Sequence, residues 1–290
     1  MDKTLPKLPR MAAIHDLSGM GKCSLSVALP IVSASGVECC CIPTALLSTH
    51  TGGFEGWTFT DLSGDIVPIA EHWHKEGLRF DAVYSGYLAS EAQGKLLERA
   101  IELLRNDDTL IIIDPVMGDN GRLYANLGDG IVECFRRLIN KADIITPNIT
   151  EACFLTGMEY RGGTLDMDFV SCLIDKLSEL GPNIVALTGV STVEGKVGIV
   201  ARDNASGRLC SVMNDTLDGM FHGAGDVFAS SLAALLTRGA KLDDALELAE
   251  KFVVSAIERT AKRGTPRHYG LDFEGVLPEY IKMCDALFAH

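Results

Sequence analysis

Short apolar runs alternate along this chain with segments of helical periodicity, and this alternation restricts the possible folds more than any other feature of the sequence. Apolar runs that predict strands occupy residues 11–17, 37–47, 80–87, 109–116, 142–148 and 183–190. Helical patterns lie between them at 23–36, 91–106 and 168–180, the first interrupted or bent near Pro30. Strands that alternate with helices predict an α/β fold, with a parallel sheet covered on both faces.

The last part of the chain and one early loop depart from this alternation. Two extended runs around the turn residues 204–207 predict a hairpin over 196–214. Helices at 227–238 and about 242–262 are predicted to close the chain. The segment 50–65, rich in Gly, Thr and aromatic residues, predicts a long loop, and loops of that length often act as lids or binding loops.

Composition limits the number of domains and the class of partner. With 290 residues, 47% of them hydrophobic, the chain can build the core of one domain over 1–290, with 1–10 as a flexible extension. Two domains are also compatible with this length. The net charge of −13 disfavours a nucleic-acid partner, because such a surface repels a phosphate backbone. A small phosphate ligand is still compatible, since helix N-termini and a metal ion supply positive field locally.

The cysteines and the chain start indicate the compartment. The nine cysteines show no CxxC spacing, so the sequence does not support a zinc or thioredoxin-like site and favours free thiols in a reducing environment. The first residues lack the apolar segment of a signal peptide, and no stretch approaches the ~18 apolar residues of a membrane span. We therefore expect a cytoplasmic protein without a membrane partner.

Polar or turn residues follow most of the predicted strands. These strand ends are His15-Asp16, Ser85-Gly86-Tyr87, Asp114-Pro115, Pro147-Asn148 and Thr188-Gly189. Each of them by itself is explained by an ordinary turn. Because ligands of open α/β sheets bind outside the carboxyl ends of the strands, the set together predicts a polar crevice at one sheet edge.

Two motifs look like binding sites but fail on spacing. GMGKCS (19–24) resembles a phosphate loop, yet Asp16 and Cys23 stand where the Walker pattern requires Gly and Ser or Thr. The segment instead predicts a Gly-rich strand-to-helix turn, which could let a ligand approach the backbone closely. In HWH (72–74) the two histidines are two residues apart, so on a helix they do not share a face and do not indicate a metal site.

The segment GAGD (223–226) poses the main functional question. Asp226 follows two glycines and precedes a run of small and apolar residues that predicts a helix. One interpretation is that Asp226 caps this helix. The other is that it acts as a base beside an anion site, because glycines and small residues let the backbone approach a phosphate at the positive end of a helix.

GAGD before a small-residue helix resembles the anion-hole signature of the ribokinase-like superfamily. Within that superfamily, SGYLAS (85–90), DPVMGD (114–119) and TPNITEACFLTG (146–157) resemble the pyridoxal kinase family, and the resemblance extends from Ile14 to the last helices. It implies a three-layer α/β/α sandwich with a central, mostly parallel sheet. It also implies a kinase that transfers the γ-phosphate of ATP to the 5′-hydroxymethyl group of a vitamin B6 vitamer.

The resemblance also implies residue roles. Asp226 would be the base, and the backbone N–H groups of Gly223, Ala224 and Gly225 would form the anion hole. Contacts to the pyridine ring are implied for Asp16, His50, Thr51 and Tyr87. Contacts to the nucleotide are implied for Asn148, Glu151, Thr188 and Gly189, while Asp114 and Glu151 would lie around Mg²⁺, partly through water.

One departure from the family pattern concerns Asp16, in HDLSG (15–19). Related kinases have a Ser at this place, touching the ring nitrogen of the substrate. A carboxylate would favour a protonated ring nitrogen, so we expect Asp16 to shift the preference among B6 vitamers. The alternative is that Asp16 is a turn residue at the strand end, without a ligand contact. A smaller departure is Ala224 within GAGD, which keeps its backbone N–H.

Several functions compete with the B6 kinase. The nearest is hydroxymethylpyrimidine kinase, which uses the same chemistry on a thiamine precursor. A sugar kinase fits less well, because Tyr87 and Trp57 suit a flat aromatic ring. From another class, the protein could be a nucleotide- or vitamin-binding sensor without catalysis. The resemblance further suggests a homodimer, and the family is known for activation by a monovalent cation such as K⁺, whose ligands the sequence does not indicate.

Overall fold

The computed structural model of the protein describes residues 7–125, 127–128, 130–217, 219 and 221–289. Its strands are β1 Arg10–Ser18, β2 Glu38–Leu47, β3 Phe59–Asp61, β4 Ala82–Ser85, β5 Leu110–Ile113, β6 Gly118–Asp119, β7 Arg122–Leu123, β8 Ile144–Ile145, β9 Ile184–Val190, β10 Lys196–Asp203 and β11 Arg208–Asp215. Its α-helices are α1 Leu25–Ala34, α2 Ser63–Lys75, α3 Glu91–Leu104, α4 Ile131–Ile139, α5 Ile149–Thr156, α6 Met167–Ser178, α7 Ala224–Thr237, α8 Leu242–Arg263 and α9 Leu277–Leu287.

A nine-stranded sheet forms the middle of the molecule, in the order β11-β10-β9-β8-β5-β4-β1-β2-β3. The strands from β9 to β2 in this order run parallel, whereas β10 pairs antiparallel with both β9 and β11 at one edge, and β3 pairs antiparallel with β2 at the other. The predicted α/β fold with a mostly parallel sheet is confirmed. The hairpin predicted over 196–214 is formed by β10 and β11.

Two apolar cores lie on the two faces of this sheet. Side chains of α2 to α6 pack on one face and those of α1, α7, α8 and α9 on the other. Because successive side chains of a strand point to opposite faces, Ile111 and Ile113 of β5 enter the first core while Ile112 enters the second. This double burial explains why the strands read as continuous apolar runs, and it gives the predicted three layers.

Three details of the sequence interpretation are corrected. The segment 50–65 is not a loop throughout, because its last residues form β3, which pairs with β2, and begin α2. The chain does not end with the helix at 242–262, since α9 follows and buries Tyr280 and Cys284. Helix α1 runs from Leu25 to Ala34 with Pro30 inside it, so of the predicted interruption or bend near Pro30 the interruption is wrong.

Two further predictions concern the N-terminal residues and the absence of a membrane span. The predicted flexible extension 1–10 lies outside the described residues as far as position 6, and Arg10 already belongs to β1. Over the described ranges, no helix has both the length and the apolar character needed to cross a bilayer.

Candidate active site

The carboxyl ends of the parallel strands meet at one edge of the sheet, as their polar residues predicted. Backbone hydrogen bonds hold adjacent ends side by side: the Asp114 N–H donates to the Ser85 carbonyl at 2.8 Å, and the Thr188 N–H to the Pro147 carbonyl at 2.9 Å. A cavity of about 780 Å³ opens at this edge. That size suits two small ligands side by side, such as a nucleotide and a second substrate.

Every residue that the sequence assigned to the site lines this single cavity. They are Asp16, His50, Thr51, Tyr87, Asp114, Asn148, Glu151, Thr188, Gly189, Gly223, Ala224, Gly225 and Asp226. Trp57, which we expected to suit a flat ring, lines it as well. The structure therefore brings the set together, while the role of each residue stays a prediction.

Helix α7 begins in the GAGD segment without a side-chain cap. Gly223 is the residue before the helix, with a left-handed φ of 79°, and a Cβ built there would lie 2.3 Å from the Lys22 carbonyl oxygen. Glycine is thus required by both conformation and space. The first N–H groups of a helix have no acceptor within it, and the Ala224 N–H makes only a long bond of 3.4 Å to the Phe221 carbonyl. The start of α7 therefore presents amides and the positive end of the helix dipole to the cavity.

Asp226 stands in the first turn of α7 and does not cap that helix. Its Oδ1 instead accepts a hydrogen bond of 3.1 Å from the backbone N–H of Ser24, the residue before α1. The carboxyl is partly exposed to the cavity, and burial raises its pKa to about 7 against the lowering by the Ser24 N–H, while the charge of Asp16 adds a smaller upward contribution. A carboxylate with a pKa near neutrality is suited to accept a proton.

Asp114 and Glu151 are buried carboxyls of the same cavity, and the charges of Glu151 and Asp226 both act on Asp114. Burial, followed by the charges of Glu151 and Asp226, raises the pKa of Asp114 well above its usual range. Burial likewise raises the pKa of Glu151 to about 8, although backbone N–H groups of Asn148 and Met117 donate to its carboxylate at 2.9 and 3.1 Å. Such a concentration of buried negative charge favours a bound cation.

These carboxyls fit Mg²⁺ held partly through water. Among the described residues, no three His, Cys, Asp or Glu side chains are arranged to hold a metal ion on their own. Mg²⁺ commonly retains several waters and uses only one or two carboxylates together with substrate phosphates. Asp114 and Glu151 provide that number of hard oxygen donors.

Asn148 and Glu151 form a reciprocal capping box at the start of α5. The Asn148 Oδ1 accepts the Glu151 N–H at 2.9 Å, and the Glu151 carboxylate accepts the Asn148 N–H. The Asn148 amide also donates to the Gly118 carbonyl at 2.9 Å. Both side chains are therefore hydrogen-bonded to backbone groups. A contact with a phosphate would use the hydrogen-bonding positions that these bonds leave over.

Asp16 is a buried strand-end carboxyl, only 5% exposed. The hydroxyls of Ser24 and Ser18 donate to its two oxygens at 2.5 and 3.2 Å. Burial raises the pKa of Asp16, and these two hydroxyls lower it. Asp16 is thus fixed in place, which a residue that reads one ring atom of a ligand requires.

His50 holds in place a loop that lines the cavity. Its Nδ1 accepts the Gly52 N–H at 3.0 Å and its Nε2–H donates to the His268 carbonyl at 2.7 Å, so the ring is the neutral Nε2–H tautomer. Burial lowers the pKa of His50. The Gly-rich turn at 19–24 packs against this ring, since a Cβ at Gly21 would lie 2.0 Å from His50 Cδ2.

Thr188 and Gly189 border the cavity near the end of β9. The Thr188 N–H and hydroxyl both donate to the Pro147 carbonyl, at 2.9 and 3.3 Å. Gly189 has a φ of 68°, and nothing lies within 4 Å of a Cβ built there. The backbone at this point can therefore approach a ligand closely.

Sequence reasoning missed several residues that build the site. Ser24 connects Asp16 with Asp226, yet nothing in GMGKCS predicts its left-handed φ of 52° or its two partners. His222 and Glu250 also line the cavity. His222 could have been noticed beside GAGD, whereas Glu250 lies in an ordinary amphipathic helix pattern that gives no functional signal.

The sequence profile of the Phosphomethylpyrimidine kinase family matches residues 28–270. The pyridoxal kinase PdxY of Granulibacter bethesdensis is 31% identical over 240 residues, which cover 79% of this chain and 82% of that protein. A Bacteroides thetaiotaomicron protein assigned to phosphomethylpyrimidine kinase, in a crystal form with pyridoxal, has a TM-score of 0.89 and 37% identity, with coverage of 94% and 96%. Pyridoxal kinase from Lactobacillus plantarum has a TM-score of 0.86 and 31% identity, with coverage of 97% and 99%.

Proposed function

The chain belongs to the phosphomethylpyrimidine kinase family, has its ribokinase-like fold and is a phosphotransferase that acts on a hydroxyl group; we propose that its substrates are ATP and a vitamin B6 vitamer. The γ-phosphate of ATP would be transferred to the 5′-hydroxymethyl group of pyridoxal, pyridoxine or pyridoxamine. The similar proteins named as pyridoxal kinases and the relative crystallised with pyridoxal support this substrate class.

The observation that carries the mechanism is the position of Asp226, a carboxyl with a raised pKa beside the uncapped start of α7. In the proposed reaction the substrate oxygen attacks the γ-phosphorus, the bond to the oxygen bridging the β- and γ-phosphorus breaks, and ADP leaves. Asp226 accepts the hydroxyl proton and releases it to solvent after product departure. The first amides of α7, those of Ala224 and Gly225 among them, hold the transferring phosphoryl group.

The remaining residues would position the two substrates. Mg²⁺, held by Asp114 and Glu151 partly through water, would neutralise charge on the ATP phosphates. Asn148, Thr188 and Gly189 would border those phosphates, and Thr51, Tyr87 and His50 would surround the pyridine ring. Activation by K⁺ and a homodimeric state remain part of this proposal.

The first experiment measures ADP release with MgATP against pyridoxal, pyridoxine, pyridoxamine, hydroxymethylpyrimidine and ribose. Rapid turnover of a pyridine supports the proposal and identifies the vitamer. Preference for the pyrimidine, which the family description keeps as the second candidate, would move the protein to thiamine synthesis with the same mechanism. ATP binding without turnover of any acceptor would indicate a sensor and overturn the proposal.

Asp16 would distinguish among the vitamers by facing the ring nitrogen. The Asp16→Ser variant should change the ratio of kcat/KM between pyridoxal and pyridoxamine by about tenfold, the effect expected for one charged hydrogen bond. Steady-state kinetics on both vitamers checks this. Equal ratios in the variant and the parent protein would assign Asp16 to the strand-end turn alone.

A further inference from the structure

One wall of the cavity is apolar apart from a single acid. Strand β10 contributes Val197, Gly198 and Ile199 to this wall, and helix α8 contributes Glu250, Val253 and Ile257. Phe228 of α7 lines the cavity as well. Surfaces of this kind accept the flat faces of a purine, whereas the strand ends and helix starts described above suit phosphates.

Glu250 is buried in this wall, with 8% of its surface exposed. Within the described part of the chain, the one hydrogen bond to its carboxylate comes from the Asn214 amide of β11, which donates to Oε1 at 2.9 Å. A carboxylate has about four acceptor positions, so its capacity exceeds what Asn214 uses. A buried charge of this kind is costly unless further donors meet it.

We propose that Glu250, held in place by Asn214, accepts a hydrogen bond from the adenosine part of ATP and so determines which nucleotide the protein uses. This inference rests on the proposed function for the identity of the nucleotide. The donors that adenosine offers are its 6-amino group and its ribose hydroxyls. A carboxylate binds either of these donors and repels the 6-carbonyl oxygen that inosine carries in place of the amine.

Burial raises the pKa of Glu250 to about 7, although the hydrogen bond from Asn214 acts in the opposite direction. A second N–H or O–H donated by a ligand would act in the same direction as Asn214 and offset the cost of the buried charge. The Gln side chain has the same shape without the charge. Glu250→Gln should therefore fold, and its amide can donate to a carbonyl oxygen that the carboxylate repels.

The test compares Glu250→Gln with Glu247→Gln, an exposed position one turn earlier on α8. Calorimetry gives Kd values for ATP, inosine triphosphate, 2′-deoxy-ATP and 3′-deoxy-ATP without any acceptor substrate. We expect Glu250→Gln to shrink the preference for ATP over inosine triphosphate by about tenfold if the amine is the donor. If a ribose hydroxyl is the donor, the preference for ATP over one deoxynucleotide shrinks instead, and Glu247→Gln changes neither ratio.

Unchanged nucleotide ratios in Glu250→Gln would overturn the inference. The variant Glu250→Asp, which keeps the charge but withdraws it from the cavity, should lose discrimination in the same assay and provides a second check. Because binding is measured without a vitamer, failure of the B6 kinase proposal is distinguishable: the nucleotide would bind selectively while no vitamer is phosphorylated.

Discussion

Helices α5 and α7 both begin at the cavity and both carry an acid at the third helical position, yet the two acids have different surroundings. At α5, the Glu151 carboxylate accepts a hydrogen bond from the Asn148 N–H and completes a capping box, so that side chains satisfy the backbone of their own helix. At α7, Gly223 offers no side chain, and Asp226 accepts a hydrogen bond from the backbone N–H of Ser24, the residue before α1.

This difference supports the proposal that Asp226, and not Glu151, acts as the base. Burial raises the pKa of both carboxyls, so burial alone does not distinguish them. Glu151 is held by two backbone donors and serves its helix, whereas Asp226 accepts one backbone donor and adjoins amides that no side chain caps. An uncapped helix start beside a partly exposed acid has the features that the proposed anion site and base require, whereas a capped start mainly stabilises its own helix.

Removal of the Asp226 carboxylate should give the largest effect. We expect Asp226→Asn to lower kcat by ~10²–10⁴ with a much smaller change in ATP affinity, because a general base is lost while the helix start is kept. Steady-state kinetics together with ATP-binding calorimetry checks this.

The matched control is Asp166→Asn, since Asp166 caps α6 by accepting the Phe169 N–H at 2.6 Å and lies outside the cavity lining. It should leave kcat unchanged. If Asp226→Asn keeps near-normal turnover and only lowers Tm, Asp226 is structural. The proposed difference in role between Asp226 and Glu151 would then be wrong.

Acid pH should reproduce part of that loss. The pKa of Asp226 is raised to about 7, so the carboxyl becomes protonated as the pH falls through 7 and can no longer accept a proton. We expect kcat/KM to fall by about tenfold per pH unit below that value. The residual activity of Asp226→Asn should not show this fall in kcat/KM at acid pH. If the fall persists in the variant, the protonation of another group causes it.

The smallest effect should come from breaking the capping box of α5. Asn148→Ala should lower the free energy of unfolding by ~1 kcal/mol, the usual value of such a cap, and raise KM for ATP by a few-fold. Thermal unfolding and kinetics measure the two quantities. Asp166→Ala removes a cap outside the cavity, so it should cost similar stability without changing KM. Equal KM values in both variants would limit Asn148 to a purely structural role.

The sheet could be predicted from the sequence to a large extent because local patterns encode it. Strands buried on both faces read as continuous apolar runs, as in the Leu110–Ile113 segment of β5. The short strand β3 and helix α9 were missed for the opposite reason. All three residues of β3 are exposed, and α9 buries only Tyr280 and Cys284, so neither has a strong periodic pattern.

The sequence by itself determined the layered α/β architecture, the hairpin and the positions of acids at strand ends and helix starts, since these depend on neighbours a few residues apart. Only the tertiary structure decided which groups from distant segments surround each acid. The partner of Asp226 is Ser24, distant in the chain, and the wall around Glu250 joins α8 to β10 and β11. The hydrogen bonds, burial and charge that set a pKa come from segments that only the fold brings together.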